Sequence, residues 1–554
     1  MPTIKSDTDT HTSSTKVANA GIRQTMAWVH TWAGLTLGWV LYFMFVTGTA
    51  GYFDTEIDRW MQPELPPAQI NSDTRATAAT LLARAQSQAP NADQWLLTLP
   101  VDRNQPYGSI FWRGADLEAG ASAERGNELI DLESGAPMQS RATGGGQTLY
   151  QMHWLLHYTN RSYSDWIISF ATLFMLVAIV TGVIIHKKIF KDFFVFRPRK
   201  GQRSWLDAHN VLSVITLPFQ AMITYSGLIF MGFSFMPLIV AGQYGSDGRS
   251  AFYGEVFSPP GMTESAGAPA HFTPLEPLIS EAENIWGQGR IRSIDIRYPG
   301  FSNARVVLSE SIDNTIAAGA GRLVFDGVSG ELLHNAPAAS SPAKGVRDAF
   351  LGLHEGLFAA PVTRWLYFIS GLLGTGMVAT GLVMWAVKRR QLAERKPGRI
   401  PRGILLVEKL NVGTVAGLLT GVAAYFWANR LLPVSMAERA QWEVHIMFLT
   451  WLALLVHAAL RPRHRAWSEQ LAIAAIAFAA LPVVNALTSD RHLLHSLSSG
   501  DWVFAGFDIT VLCIGVLLGI AARFTRPKQT ASAASKAQTA AQPAAAGNAV
   551  GDAS

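Results

Sequence analysis

MAWVHTWAGLTLGWVLYFMFVTGTA, residues 26–50, decides the fold. It carries no Asp, Glu, Lys or Arg, and as a helix it is long enough to cross the ~30 Å hydrocarbon core of a bilayer. The same length rule marks further spans at 165–187, 207–240, 363–387, 404–427, 441–460, 468–488 and 503–523. The third of these is long and contains Pro218, which predicts a kink or an extension beyond the bilayer. Residues 1–24 read as a polar tail, and the chain from 525 as a disordered Ala/Ser/Gln-rich tail. The first apolar run is too long for a signal-peptide core and has no small-residue cleavage site, so it is expected to be retained.

Composition agrees. Only 15% of the 554 residues are charged and 49% are hydrophobic, against roughly 25% charged in soluble proteins. The net charge of +5 falls in short clusters beside the apolar runs, which is a topology signal and gives no nucleic-acid groove. Lys187, Lys188, Lys191, Arg197, Arg199, Lys200 and Arg203 fill one connection. A second holds Lys388, Arg389, Arg390, Arg395, Lys396, Arg399 and Arg402, and a third Arg461, Arg463 and Arg465. With Arg23, Arg523 and Arg526 they share one side of an eight-span arrangement, so both termini are expected in the cytoplasm of a bacterial inner-membrane protein. Cys513 is the single cysteine, which excludes a disulfide framework, a thiolate zinc site and an iron–sulfur cluster within one chain. Without a Cys-x-x-Cys-His motif, any haem is held by coordination and packing alone.

Two long polar stretches, 54–162 and 241–352, face the other side and read as small α+β modules. Each is predicted to hold a helix and then strands: 75–88 before 127–133, and 275–286 before 292–298, 304–310 and 321–326. Both end in a hairpin signal, Asp131-Leu-Glu-Ser-Gly135 and Asp326-Gly-Val-Ser-Gly330, in which glycine supplies a positive φ. The expected fold is therefore mainly α and polytopic, with about eight transmembrane helices and two external modules. Residues 404–524 form a C-terminal four-helix region of open role.

The chain also repeats itself. His30 and Gly48 in the first span, and His209 and Gly227 in the third, are each eighteen residues apart. In the second and fourth spans Trp166 precedes Gly182, and Trp365 precedes Gly381, by sixteen residues; Leu156-His157 and Leu353-His354 lie just outside them. Pseudo-symmetry would set His30 opposite His209, and His157 opposite His354. Two imidazoles from different helices are what a six-coordinate haem needs on its axial faces, and two b-type haems near opposite faces would make an electron path. A lone histidine at a helix end is more often an interfacial residue; four at equivalent places argue for iron. Gly34, Gly38, Gly48 and Gly227 are candidates for letting a flat macrocycle approach the helices, although glycines in spanning helices usually serve packing. His153 shares a predicted helical face with His157 and is an alternative to it. His186 has Trp385-Ala-Val-Lys388 as its counterpart and is a candidate for a haem propionate or a proton path. His445, His457, His464, His492 and His495 read as non-ligating. No nucleotide or flavin motif occurs in context, so a reductant must come from another protein or the membrane quinone pool.

Trp28-Val-His-Thr-Trp-Ala-Gly34 with Thr47-Gly48, and Leu353-His-Glu-Gly-Leu-Phe358 with Val378-Ala-Thr-Gly381, resemble the PepSY-associated transmembrane family over residues 20–390. The two external modules resemble PepSY domains. The resemblance implies haem b between the helices, His30, His209, His157 and His354 as axial ligands, and reduction of periplasmic ferric siderophore by a cytoplasmic or quinol donor. Asn210 and Ser213 stand where the family often has a basic residue and glycine. The competing expectation is a PepSY-bearing membrane anchor that binds or regulates a partner without redox activity. Transport through the bundle is disfavoured by the scarcity of charge at mid-span.

Overall fold

The computed structural model describes residues 9–526, apart from 71, 115–123, 187–195, 199, 233–236, 246–247, 249–250, 253–266, 313–314 and 340, with side chains from Gly21 onward. Lys187, Lys188, Lys191 and Arg199 lie outside that set, as do residues 1–8 of the polar N-terminal stretch and the C-terminal tail from 527. The next residues after the first eight begin a helix, α1 (Asp9–Thr36), which runs straight into the first apolar run.

The first half continues with α2 (Gly38–Gly51), α3 (Asp54–Met61), α4 (Thr74–Gln88), β1 (Gln94–Thr98), β2 (Gly108–Arg113), β3 (Arg125–Ile130), α5 (Gly145–Trp154) and α6 (Arg161–Ile185). A second set comes after it: α7 (Gln202–Ile215), α8 (Leu217–Phe230), α9 (Pro237–Tyr244), α10 (Leu275–Trp286), β4 (Ile291–Arg297), β5 (Arg305–Glu310), β6 (Arg322–Asp326), β7 (Leu332–Ala336), α11 (Pro342–Glu355) and α12 (Pro361–Glu394). The C-terminal region holds α13 (Arg402–Val415), α14 (Gly417–Leu431), α15 (Arg439–Leu460), α16 (Arg463–Ala479), α17 (Leu481–Thr488), α18 (Leu493–Ser499) and α19 (Trp502–Thr525). Among the described residues six helical stretches are long and apolar enough to cross a membrane, or eight when the bent pairs α1–α2 and α7–α8 each count as one.

Those two pairs bend by 63° and 69°, at Leu37 and Thr216, which occupy the same place in the repeat. In the second, Pro218 enters the first turn of α8; having no N–H, it cannot carry the hydrogen bonding of α7 across the break. In the first there is no proline; Gly38 packs so tightly on α12 that a Cβ would lie 2.7 Å from Leu382. The span read as 207–240 is thus broken at 216, and its described helix stops at Phe230, with α9 separate.

The two polar segments depart from expectation more. They do not form two modules with separate sheets. Their strands make one antiparallel sheet of seven, in the order β3-β2-β1-β4-β5-β6-β7. The joint is β1 against β4, with Leu97 opposite Ile294. Helices α4 and α10 cover one face over Leu81, Leu97, Ile110, Leu278, Ile294 and Leu323, all at most 1% exposed. Strands β1, β2 and β7 lie outside the sequence expectation. The two hairpin turns are as read: Gly135 has φ 69° and Gly330 φ 76°, and the Asp131 and Asp326 side chains accept from the turn amides.

The C-terminal helices pack on the first half. Tyr42, Phe43, Trp60, Leu149 and Met152 share one core with Leu418, Tyr425, Val444, Met447 and Phe504. This mix of side chains is mostly apolar, so the contact is held by close packing, with buried hydrogen bonds such as Trp60 to Asp508 and Tyr425 to the Gly145 carbonyl within it.

Candidate functional site

Four histidines meet in two pairs. At the end far from the sheet, the rings of His30 (α1) and His209 (α7) lie 6.4 Å apart, centre to centre, at 72°. At the sheet end, the rings of His153 (α5) and His354 (α11) lie 6.0 Å apart at 44°.

All four are seated alike. The Nδ1 of His30 is 2.9 Å from the Ala178 carbonyl and 3.2 Å from Thr181 Oγ1. That of His209 is 2.9 Å from the Met377 carbonyl and 3.3 Å from Thr380 Oγ1. His153 Nδ1 is 2.8 Å from the Met44 carbonyl, and His354 Nδ1 is 2.9 Å from Ser226 Oγ. A carbonyl oxygen only accepts, so the Nδ1 of the first three carries the proton. Ser226 donates its own proton to the Met222 carbonyl, so His354 Nδ1 donates as well. The Nε2 lone pair of every ring is then left as a donor atom for a ligand, and among the described residues none makes a hydrogen bond. Fixing the tautomer through the far nitrogen is how metal-binding histidines are held.

The seats share a sequence: Ala178 to Thr181-Gly182, Met377 to Thr380-Gly381, Met44 to Thr47-Gly48, and Ile223 to Ser226-Gly227. Each hydroxyl donates to the carbonyl one turn back, at Val177, Gly376, Phe43 and Met222. Each glycine lets an imidazole lie on the helix backbone. A Cβ at Gly182, Gly381 or Gly227 would come within 3.2–3.3 Å of its histidine, and at Gly48 within 2.4 Å of His153 Nδ1. Gly34 and Gly38 have no such part; Gly34 faces open space and Gly38 faces Leu382.

His157 is placed differently from the sequence expectation. Helix α5 ends at Trp154 with Leu155 extended, so His157 lies past the helix and off the face that carries His153. Its ring stacks on Phe448 and meets the edge of Tyr158, and His153 takes the position opposite His354. His186 caps α6 and pairs through Nε2 with Asn210 Nδ2 at 2.9 Å, beside the His30–His209 end. His445 bonds Tyr158 and His457 lies 3.1 Å from Glu469.

The His153–His354 pair opens on a cavity of about 380 Å³. Gly48, Gly227, Leu41 and Ile168 are among the residues that line it, together with the polar Tyr150, Arg161 and Glu355. The volume is in the range of cofactor and ligand sites. Two imidazoles bonded through Nε2 at about 2.0–2.1 Å to opposite sides of one metal, each ring centre about 1.1 Å behind its nitrogen, would hold their centres roughly 6 Å apart. Both observed separations match. Among the described residues no three His, Cys, Asp or Glu side chains converge as a bare-metal site would require, so two histidines per site fit a metal whose remaining ligands come from a macrocycle.

Beside the sheet-end site, α3 presents acidic side chains. Asp58 accepts from the Gly146 amide at 2.7 Å at the start of α5. Burial, and then the nearby charge of Asp54, push its carboxyl up to about 7. Burial likewise raises Asp54, against the pull of Arg103.

Sequence reasoning missed the buried charges of the C-terminal region. Arg439 and Glu443 pair at 2.5 Å with both side chains fully buried, and Asp508 receives Trp60 Nε1 and Asn485 Nδ2. They lie near span ends, where no repeat partner flags them.

No curated protein matches the chain. Its residues 27–388 match the family described as the PepSY-associated TM region, and this multi-pass membrane protein belongs to that family.

Proposed function

We propose that the protein carries electrons across a bacterial inner membrane, through two b-type haems held by His30 with His209 and by His153 with His354, to a periplasmic acceptor. The carrying observation is the fourfold seat: tied Nδ1, free Nε2, glycine beneath the ring, and two pairs at 6.4 and 6.0 Å. A haem so bound supplies one-electron iron chemistry. The chain's residues fix the imidazoles, keep bulk water off the rings, and set the two sites one above the other. On α6, Thr172 contacts the Gly227 seat and Gly182 the His30 seat, ten residues or about 15 Å apart.

The favoured acceptor is ferric iron in a siderophore, because Tyr150, Arg161 and Glu355 in the lining of the sheet-end cavity offer polar contacts to a chelate. Reduction weakens hard oxygen ligation, and iron leaves the chelator. Orientation is supported by Arg389, Arg390, Arg399, Arg402, Arg461 and Arg463, which flank spans at the end away from the sheet; the sheet is then periplasmic and the termini cytoplasmic. The donor is a quinol or a cytoplasmic protein.

The test is a reduced-minus-oxidised absorbance spectrum with a haemochrome count on purified protein. Two low-spin haems per chain, falling to one in His209→Ala and in His354→Ala, are expected. A preparation that binds none after expression with added haem refutes the proposal and leaves a PepSY-bearing membrane anchor.

A further inference from the structure

His153 rides on a helix of only ten residues, α5, too short to hold its place by its own hydrogen bonds. Its first turn has no side-chain N-cap of its own, and Gly145 begins it at φ 61°. Asp58 on α3 accepts from the Gly146 amide, and the residues just before it, Thr143 to Gly145, are held by the C-terminal region. Glu443 on α15 accepts from Thr143 Oγ1 at 2.6 Å and from the Gly144 amide at 3.1 Å. Tyr425 on α14 donates to the Gly145 carbonyl at 2.8 Å. Glu443 is itself fixed by Arg439 at 2.5 Å and Asn429 at 2.9 Å.

The other end of α5 is held by the same helix. Tyr158 takes a left-handed backbone, φ 65°, which costs an aromatic residue about 1–2 kcal/mol. Its hydroxyl meets His445 Nδ1 at 2.5 Å and its ring stacks on that imidazole. Phe448, one turn on, stacks against His157. Helix α15 therefore grips α5 before its first turn and after its last. By contrast α11, which carries His354, starts on its own Ser341 cap and has Gly356 as its stop.

We propose that the C-terminal four-helix region is a positioning device for His153, acting through the two clasps that α15 and α14 place on either end of α5. These helices lie beyond the family-matched residues 27–388, so the device is an addition that tunes one of the two sites. Its consequence for electron transfer rests on the haem reading above; the clasp itself does not.

The experiment is hydrogen–deuterium exchange of the full-length protein in detergent, wild type against Tyr425→Phe, Tyr158→Phe and Glu443→Gln. The two tyrosine changes each remove one hydroxyl and keep the ring, so they guard against a Glu443→Gln that does not fold. Exchange over 146–154 is expected to quicken at least about threefold, with 342–355 unchanged. In haem-loaded protein, the midpoint potential of one haem should shift while the other stays. Unaltered exchange in both tyrosine variants overturns the inference, as does equal quickening of 146–154 and 342–355, which would be general loosening. Exchange is read with or without haem, so loss of the haem reading and loss of the clasp are separate results.

Discussion

Gly48→Ala tests the seats most sharply, because the four glycines are not equally tight. At Gly48 a Cβ would lie 2.4 Å from His153 Nδ1, whereas carbon contacts rest near 3.5–4.0 Å. The ring must therefore retreat by about 1 Å or more, which breaks its bond to the Met44 carbonyl. Overpacking costs about 1–3 kcal/mol and the lost hydrogen bond about 0.5–1.5 kcal/mol. Alanine in a helix interior returns about 1 kcal/mol relative to glycine. The net expectation is a loss of about 0.5–3.5 kcal/mol. At Gly182 the contact is 3.3 Å, to His30 Cε1, and a shift of a few tenths of an ångström relieves it, so Gly182→Ala should be near neutral. Thermal midpoints of the two variants in detergent make the comparison, and under the proposed function Gly48→Ala also loses one haem. Equal midpoints with wild-type spectra in both would refute the packing argument at its root.

His153→Ala should cost one haem and His157→Ala none, by haemochrome count; the opposite result would restore the sequence-based pairing. Asp58 has a folded-state pKa raised from 3.8 to about 7, so the folded chain binds its proton more tightly than the unfolded chain. That stabilisation is present below the unfolded value and is lost as pH rises through about 7. Against Asp58→Asn, the wild-type melting temperature should therefore fall between pH 5 and pH 8; a constant difference would show that Asp58 does not titrate there. Ile294→Ala, at a fully buried position in the β1–β4 joint, should cost about 2–5 kcal/mol. Limited proteolysis should then open both sheet-forming segments together, since they share one sheet; cleavage confined to 267–340 would mean that the joint does not couple them.

What could be read from residues alone was whatever obeys a local period or a repeat. The apolar runs gave the spans, and the kink at Pro218 came from a missing N–H. The eighteen-residue step from His30 to Gly48 and from His209 to Gly227 was visible, but its meaning was not. Each histidine sits on a glycine of another helix, so the step joins two different seats. The seat motif, hydroxyl then glycine, occurs four times and was available to a reader who looked for the glycine's neighbour. Strand β1 was hidden because Gln94-Trp-Leu-Leu-Thr98 is short, and of its two partners, the nearby β2 and β4, the one that joins the two segments lies about 200 residues away. No local pattern encodes that pairing.

The displacement of His157 shows why matching motifs can mislead by one helical turn. Leu156-His157 and Leu353-His354 agree as dipeptides, and spacing by four keeps two histidines on one face only while the helix lasts. Helix α11 runs through His354 and stops at Gly356; α5 stops at Trp154, three residues before His157. The difference lies in the residues just beyond each helix. After α11, Gly356 makes the left-handed turn at no steric cost. After α5 the left-handed position falls to Tyr158, an aromatic residue, and the turn is held from outside by His445 and Phe448. A conformation paid for by a helix nearly three hundred residues downstream leaves no trace in its own local sequence. The same long-range contact that moved His157 off the site is the one that holds His153 in it.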